Sequence, residues 1–201
     1  MVFVNSMSDL FHPDVLEDFI LRVAMVMMKA NWHTYQVLTK RSERLHRMLN
    51  GPLRFATGSQ HIWWGVSVED KKYGKPRIEH LRETCASVKF LSIEPLLEDL
   101  GHIDLSKISW VIVGGESGAG ARPMDESWVN NLLVQCQSAD VPFFFKQWGG
   151  VQKKKHGRQL NGQTYNEFPF SPTGTIPDRN RRRLMAGLLE QSFSAGELIY
   201  L

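Results

Sequence analysis

Six short apolar runs punctuate the chain, and each gives way at once to polar residues or glycine. They are VFV before Asn5, TYQVL before Thr39, IWWGV before Ser67, VKFLSI before Glu94, WVIV before Gly114 and VPFFF before Lys146. The runs are apolar almost throughout rather than alternating, the pattern of strands buried on both faces of a parallel sheet. Between them the period lengthens to that of a helix. Residues 14–30 place Val15, Phe19, Ile20, Val23, Val26 and Met27 at spacings of three and four behind Pro13. Residues 42–50 present Leu45, Met48 and Leu49 before a Gly51-Pro52 stop, and 76–84 present Ile78 and Leu81. Residues 125–139 follow a cap at Asp125 with Trp128, Val129, Leu132, Leu133 and Cys136 on one stripe. Residues 96–106 are too short and mixed to predict an element.

Taking Ser8, Thr39, Ser67, Glu94, Gly115 and Lys146 as strand ends gives intervals of 31, 28, 27, 21 and 31 residues. That is the beat of successive βα units, with no sequence repeat beneath it. A (βα) barrel and an open doubly wound sheet both fit. An open sheet concentrates its site at one switch point, whereas here nearly every strand closes on a polar cluster. The prediction is therefore an α/β fold: a partial or incomplete TIM-type (βα) barrel of about six parallel strands. Residues 1–150 form the barrel body. Residues 151–201 form a basic, Gly- and Pro-containing C-terminal extension, and residues 147–178 are expected to lie over the barrel as irregular structure or a hairpin. A closing helix is expected at 179–189, with Leu184, Leu188 and Leu189 inward.

The composition, 42% hydrophobic and 22% charged over 201 residues, is that of an ordinary globular chain. No apolar stretch approaches the roughly 20 residues of a membrane span, and the N-terminus lacks the basic start of a signal peptide. A cytoplasmic protein with no membrane association is expected. Charge divides unevenly: residues 1–150 hold 16 Lys/Arg against 17 Asp/Glu, and 151–201 hold 8 against 4. The excess lies in 153–158 and 179–183, clusters that suit either a nucleic-acid backbone or a solvated face. Cys85 and Cys136 fit no metal or redox spacing and read as small core residues.

The richest chemistry follows the fifth run, in ISWVIVGGESGAG (108–120). It lacks the lysine of a phosphate loop and the spacing of a dinucleotide fingerprint. Ser117 fits a nucleophile elbow poorly, because residues 118–123 separate it from any helix. Two readings remain: a rim loop turning bare amides and Glu116 towards a ligand, or a structural turn with an exposed Glu116. Glu69, Glu94 and Glu116 would stand at neighbouring strand ends, with Lys40, Arg41, Arg122 and Lys146 available to the same face. Such a bowl suits a polar, zwitterionic or phosphorylated small molecule, and its charges could equally pair with one another. No histidine pair has zinc spacing, so no metal site is predicted; His12 lies nearest a strand end.

The motifs FVNSMSDLFHPDV, YQVLTKRSERL, WWGVSVED, FLSIEPLL, WVIVGGESGAGARPM and VPFFFKQWG run in this order through residues 2–150. Together they resemble a phage- and prophage-encoded family of unknown function whose full-length members look like radical S-adenosylmethionine (SAM) proteins. The likeness continues weakly through LNGQTYNEFP (160–169). It implies a partial TIM barrel. For longer members it also implies SAM and a [4Fe–4S] cluster held by three cysteines upstream of the first strand. This chain starts on the first matched motif and carries no three-cysteine segment, so no cofactor is expected for it alone. The resemblance nominates Asn5, Ser6, Asp9, Gly114, Gly115, Glu116 and Ser117 for the cofactor side. Lys40, Arg41, Glu69, Glu94, Arg122 and Lys146 are nominated for substrate, with no catalytic residue assigned. The expected function is that of an N-terminally truncated radical SAM-like enzyme body, with unknown substrate and no radical chemistry of its own. The alternative is a catalytically inactive barrel that binds nucleic acid or a protein through its basic tail.

Overall fold

All six apolar runs form strands: β1 (Val2–Val4), β2 (Tyr35–Thr39), β3 (Ile62–Ser67), β4 (Lys89–Ile93), β5 (Trp110–Gly114) and β6 (Phe143–Gln147). The structure, a computed structural model, describes residues 1–5, 7–151, 157–170 and 172–195. The strands pair in parallel and in sequence order, β1 to β6. Helices α1 (Glu17–Lys29), α2 (Ser42–Leu49), α3 (Lys71–Arg82) and α4 (Glu126–Ser138) make four of the five crossovers. Right-handed crossovers that always step the same way leave every helix on one face. A doubly wound sheet would have to reverse its order. Here the six strands curl instead into a half-barrel, helices outside and a concave face within.

The larger core lies between sheet and helices. On α1 it takes Ile20, Leu21, Ala24 and Met27, on α2 Leu45, Met48 and Leu49, and on α4 Val129, Leu132, Leu133 and Cys136. These meet the outward residues of the strands, such as Val37, Trp64, Val66, Leu91, Val111 and Phe145. Each large side chain so buried contributes about 1.5–3 kcal/mol, which is why the helical stripes and the apolar runs find one another.

Three expectations need correction. Helix α3 begins at Lys71 rather than at residue 76, because Asp70 caps it, its side chain accepting the Tyr73 N–H at 2.6 Å, and Pro76 falls inside. Cys85 is exposed on the connection after α3, and only Cys136 is a core cysteine. The closing helix, α5 (Arg179–Ser194), does not turn Leu184 and Leu188 inward: they are 65% and 56% exposed. It packs against α1 through its far end, where Ser192 is buried and Arg22 lies 5.4 Å over the Phe193 ring. Its first turns therefore have no apolar surface to cover.

The described residues of the extension before α5 are irregular, as expected, but they are tied to the sheet. Residues 165–167 run beside β6 in the antiparallel sense, with Phe145 N donating to Tyr165 O at 3.1 Å and Glu167 N to Phe143 O at 3.3 Å. The edge of β6 is thereby covered. At the other edge, Val2 and Phe3 of β1 are exposed. Among the described residues no helix is long and apolar enough to cross a membrane.

Candidate functional site

Strand alternation sends a second set of residues to the concave face. Trp63, Val88, Phe90, Trp110 and Ile112 form a separate buried cluster there, with Leu38 and Phe144 against it. Trp110 is its hub, with ring centroids 5.4 Å from Trp63, 5.9 Å from Phe90 and from Phe144, and 5.0 Å from Phe168. The indole N–H groups are satisfied at the N-terminal end of the sheet: Trp63 donates to Gln60 O at 3.1 Å and Trp110 to Glu167 O at 2.8 Å. Gly65 is the gap that admits Phe90, since a Cβ there would lie 2.4 Å from the ring. Above this floor a cavity of about 310 Å³ opens, walled by Phe3, Leu38 and Phe168 and topped by Ser92, Glu94 and Lys146. Phe168 is a site residue that sequence reasoning misses. Its stretch has no periodicity, and only the weak motif continuation to 169 touches it.

The charges at the C-terminal ends of the strands meet in pairs. Glu94 takes Lys146 Nζ at 2.8 Å and Gln147 Nε2 at 2.7 Å. Gln147, the second residue missed, is aimed by a register shift. Val113 faces Phe145 but Gly114 faces Gln147, so two successive β6 side chains reach one carboxylate. Bulges re-aim side chains in this way. Gly114 leaves the room, since a Cβ would stand 3.1 Å from Gln147 Nε2 and 3.2 Å from Glu94 Oε1. Glu69, 8% exposed, is held between Lys40 Nζ at 2.5 Å and Arg77 Nη1 at 2.7 Å. Asp9 accepts the Thr39 hydroxyl at 2.7 Å and the Phe11 N–H at 2.9 Å, with Arg41 at 3.9 Å. A second cavity of about 580 Å³ collects Asn5, Asp9, Lys40, Arg41 and Ser67, and shares Phe3 and Leu38 with the first. The two cavities thus adjoin at Phe3 and Leu38 and together make the trough of the concave face, with β1–β2 groups at one end and Glu94–Lys146 at the other.

The glycine loop has its own reason. A Cβ on Gly115 would lie 2.0 Å from Trp148 O, and one on Gly149 2.1 Å from Glu116 O. The loops after β5 and β6 cross glycine on glycine. Gly115 N donates to Gln147 O at 2.9 Å and Gly150 N to Glu116 O at 2.7 Å. The Gly115 amide is therefore taken up within the chain. Glu116 is gripped by Arg122, Nε at 2.8 Å, Nη2 at 2.9 Å and the backbone N–H at 2.9 Å, which holds its carboxyl down at about 2. Glu116 and Arg122 stand on an exposed loop, outside both cavities. Ser117 is exposed and bridges to Gly150.

Among the described residues no group of three or more His, Cys, Asp and Glu could hold a metal ion. The two cysteines do not fit an iron–sulfur cluster: Cys85 is exposed, and burial inside α4 pushes the Cys136 thiol up to about 12. A cluster needs several thiolates brought together. Ser6 and residues 152–156, which include Lys153–155, lie outside the described residues. Arg158 turns back onto the floor, its guanidinium 5.0 Å over the Phe144 ring and donating to Phe145 O at 3.2 Å. Arg179, Arg181, Arg182 and Arg183 are exposed on α5.

Comparison with curated proteins and with solved structures returns no match. The model of the family described as "Protein of unknown function (DUF5131)" matches residues 1–169, ending just past Phe168, and the chain belongs to that family.

Proposed function

We propose that this chain is the ligand-holding barrel body of a radical SAM-like enzyme, and that its concave trough takes a compound with a flat ring and a head bearing both charges. One observation carries the reading: an aromatic floor centred on Trp110 lines the same cavity as the opposite charges of Glu94 and Lys146. The Lys146 side chain is 48% exposed and that of Glu94 23%. A pair in that setting contributes no more than about 1 kcal/mol, so the ammonium or carboxylate of a ligand can replace either partner at small cost. Parallel barrels bind at the C-terminal ends of their strands, where Asn5, Asp9, Lys40, Glu69 and Lys146 stand. SAM, an adenine with a methionine zwitterion, has the required form, and the motif resemblance points to it independently. The two cysteines supply no cluster, so the role drawn for this chain is binding and orientation, with the ring shielded by the tryptophan floor.

Calorimetric titration with SAM, S-adenosylhomocysteine and adenosine tests the proposal. Saturable binding of the first two, weakened about tenfold by Glu94→Gln and by Lys146→Ala, is the expected result. Equal affinity for adenosine would remove the zwitterion from the reading, and no saturable binding of any of the three would overturn it.

The exposed arginines of α5 favour a second reading, a barrel that binds nucleic acid through its C-terminal extension. Its signature is salt-dependent oligonucleotide binding that disappears when Arg181, Arg182 and Arg183 are neutralised.

A further inference from the structure

A separate groove of about 360 Å³ lies outside the concave trough, between the first turn of α2 and the face of α3. Its ionised lining is one-sided: Lys40, Arg41, Arg44, Lys72 and Arg77 against Glu43. Some of these cations already have partners. Lys40 and Arg77 share Glu69. Arg41 reaches Asp9 only at 3.9 Å, while that carboxylate is bonded to Thr39 and to the Phe11 amide. Arg44 is spent on backbone carbonyls, 2.6 Å from Val15 O and 3.3 Å from Phe11 O, which position the guanidinium without neutralising it. Lys72 has no carboxylate partner among the described residues and rests 4.8 Å from the Tyr73 ring. Counting Glu69 and Asp9 with Glu43, five cations face three carboxylates, leaving a surplus of two positive charges.

The rest of the lining is flat and apolar: Tyr73, which is 55% exposed, with Pro13, Pro76 and the buried Phe11. His80 is tied to Ser42 across the groove, Nδ1 to Oγ at 2.9 Å, fixing the two helices relative to each other. Surplus cations on rigid elements beside an exposed aromatic face are what a phosphate attached to a ring requires.

We propose that this groove is a mononucleotide site, with phosphates held by Arg41 and Lys72 and the base on Tyr73. It shares a wall with the trough but is separable from it. Lys40 and Arg41 line both cavities, but Lys72 and Tyr73 belong to the groove alone.

Calorimetry at low ionic strength with ADP, with inorganic pyrophosphate and with a short single-stranded oligonucleotide tests it. Saturable binding of ADP and pyrophosphate is expected. Lys72→Ala should weaken both about tenfold. Tyr73→Ala should weaken ADP alone, and Glu94→Gln in the trough should change neither. Lys72 and Tyr73 are exposed, so an unchanged melting temperature will show that the variants stay folded. Absence of saturable binding, or affinities indifferent to Lys72→Ala, overturns the site. Insensitivity of ADP to Tyr73→Ala overturns the base contact. Binding of the oligonucleotide alone overturns the mononucleotide assignment.

Discussion

Glu116 shows how a side chain can be singled out by its place in the sequence and then be explained by a neighbour. A carboxylate after a buried strand and two glycines invites a ligand, but Arg122, six residues on, makes three hydrogen bonds to it. Spacing marks both residues as candidates and cannot tell a charge that faces a ligand from one that faces its own loop. The same holds for Lys40 with Glu69 and Lys146 with Glu94, whose pairing depends on strand ends far apart in the chain, the second pair reaching across β5. For Glu116 the bond to Arg122 depresses the folded carboxyl from 4.5 to about 2. A depressed value means that the contribution of this contact is fully present above 4.5 and is lost as pH falls through about 2. A carboxyl-detected NMR titration should therefore find the Glu116 midpoint near 2 in the native chain. Arg122→Ala should move it back up towards 4.5, the ordinary glutamate value. A native midpoint already near 4.5 would mean that the loop does not hold this clasp in solution.

At the scale of elements, legibility follows burial. Strands β2 to β5 are readable because they are covered on both faces, so their runs stand out against any background, while β1 and β6 are read from their place in the same beat. Helices α2 and α4 are equally plain, each with an apolar stripe and a clear start or stop. The start of α3 is hidden by Pro76, which reads as a first-turn residue although Asp70 is the cap. The outward Leu184 and Leu188 mislead because a stripe reports a preference for burial and not the presence of a surface to meet. The glycines in and after the strands are informative in a further way, since they differ in what crowds them. At Gly115 the obstacle is backbone: an added methyl would meet Trp148 O at 2.0 Å and the carbonyl carbon at 2.7 Å. At Gly65 it is only the Phe90 ring, at 2.4–2.6 Å, which borders an open cavity. Gly115→Ala should therefore lower stability by about 2 kcal/mol or more, because the β5 and β6 loops must part. Gly65→Ala should cost less and instead push Phe90 into the trough, weakening ligand binding there. Denaturant midpoints read the first effect and ligand titration the second. Equal stability losses would mean that the two loops separate as readily as a ring swings.

For the whole molecule, the question is where the half-barrel ends. A sheet leaves two edges, and an uncovered row of N–H and C=O groups invites pairing with another chain. The edge at β6 is closed by residues 157–168, which make five hydrogen bonds to the sheet. They are Phe145 N to Tyr165 O, Glu167 N to Phe143 O, Phe143 N to Glu167 Oε2, Trp110 Nε1 to Glu167 O and Arg158 Nη2 to Phe145 O. The same segment lays Tyr165 on Phe143 at 5.6 Å and Phe168 on Trp110 at 5.0 Å. At about 1 kcal/mol for each hydrogen bond, it carries about 5 kcal/mol, a large share of the 5–15 kcal/mol typical of a domain. The family match stops at 169, the point where this packing stops. Helix α5 beyond it leans on α1 and touches neither cavity. A chain ending at residue 169 should therefore keep the oligomeric state of the full-length protein, melt close to it and keep its trough. One ending at residue 151 should melt far lower and self-associate through β6. Size-exclusion chromatography and thermal melts of the two truncations decide the matter. If the shorter chain were as stable and as monomeric as the longer, the segment would be an appendage, and the β6 edge would be protected by the twist of the half-barrel itself.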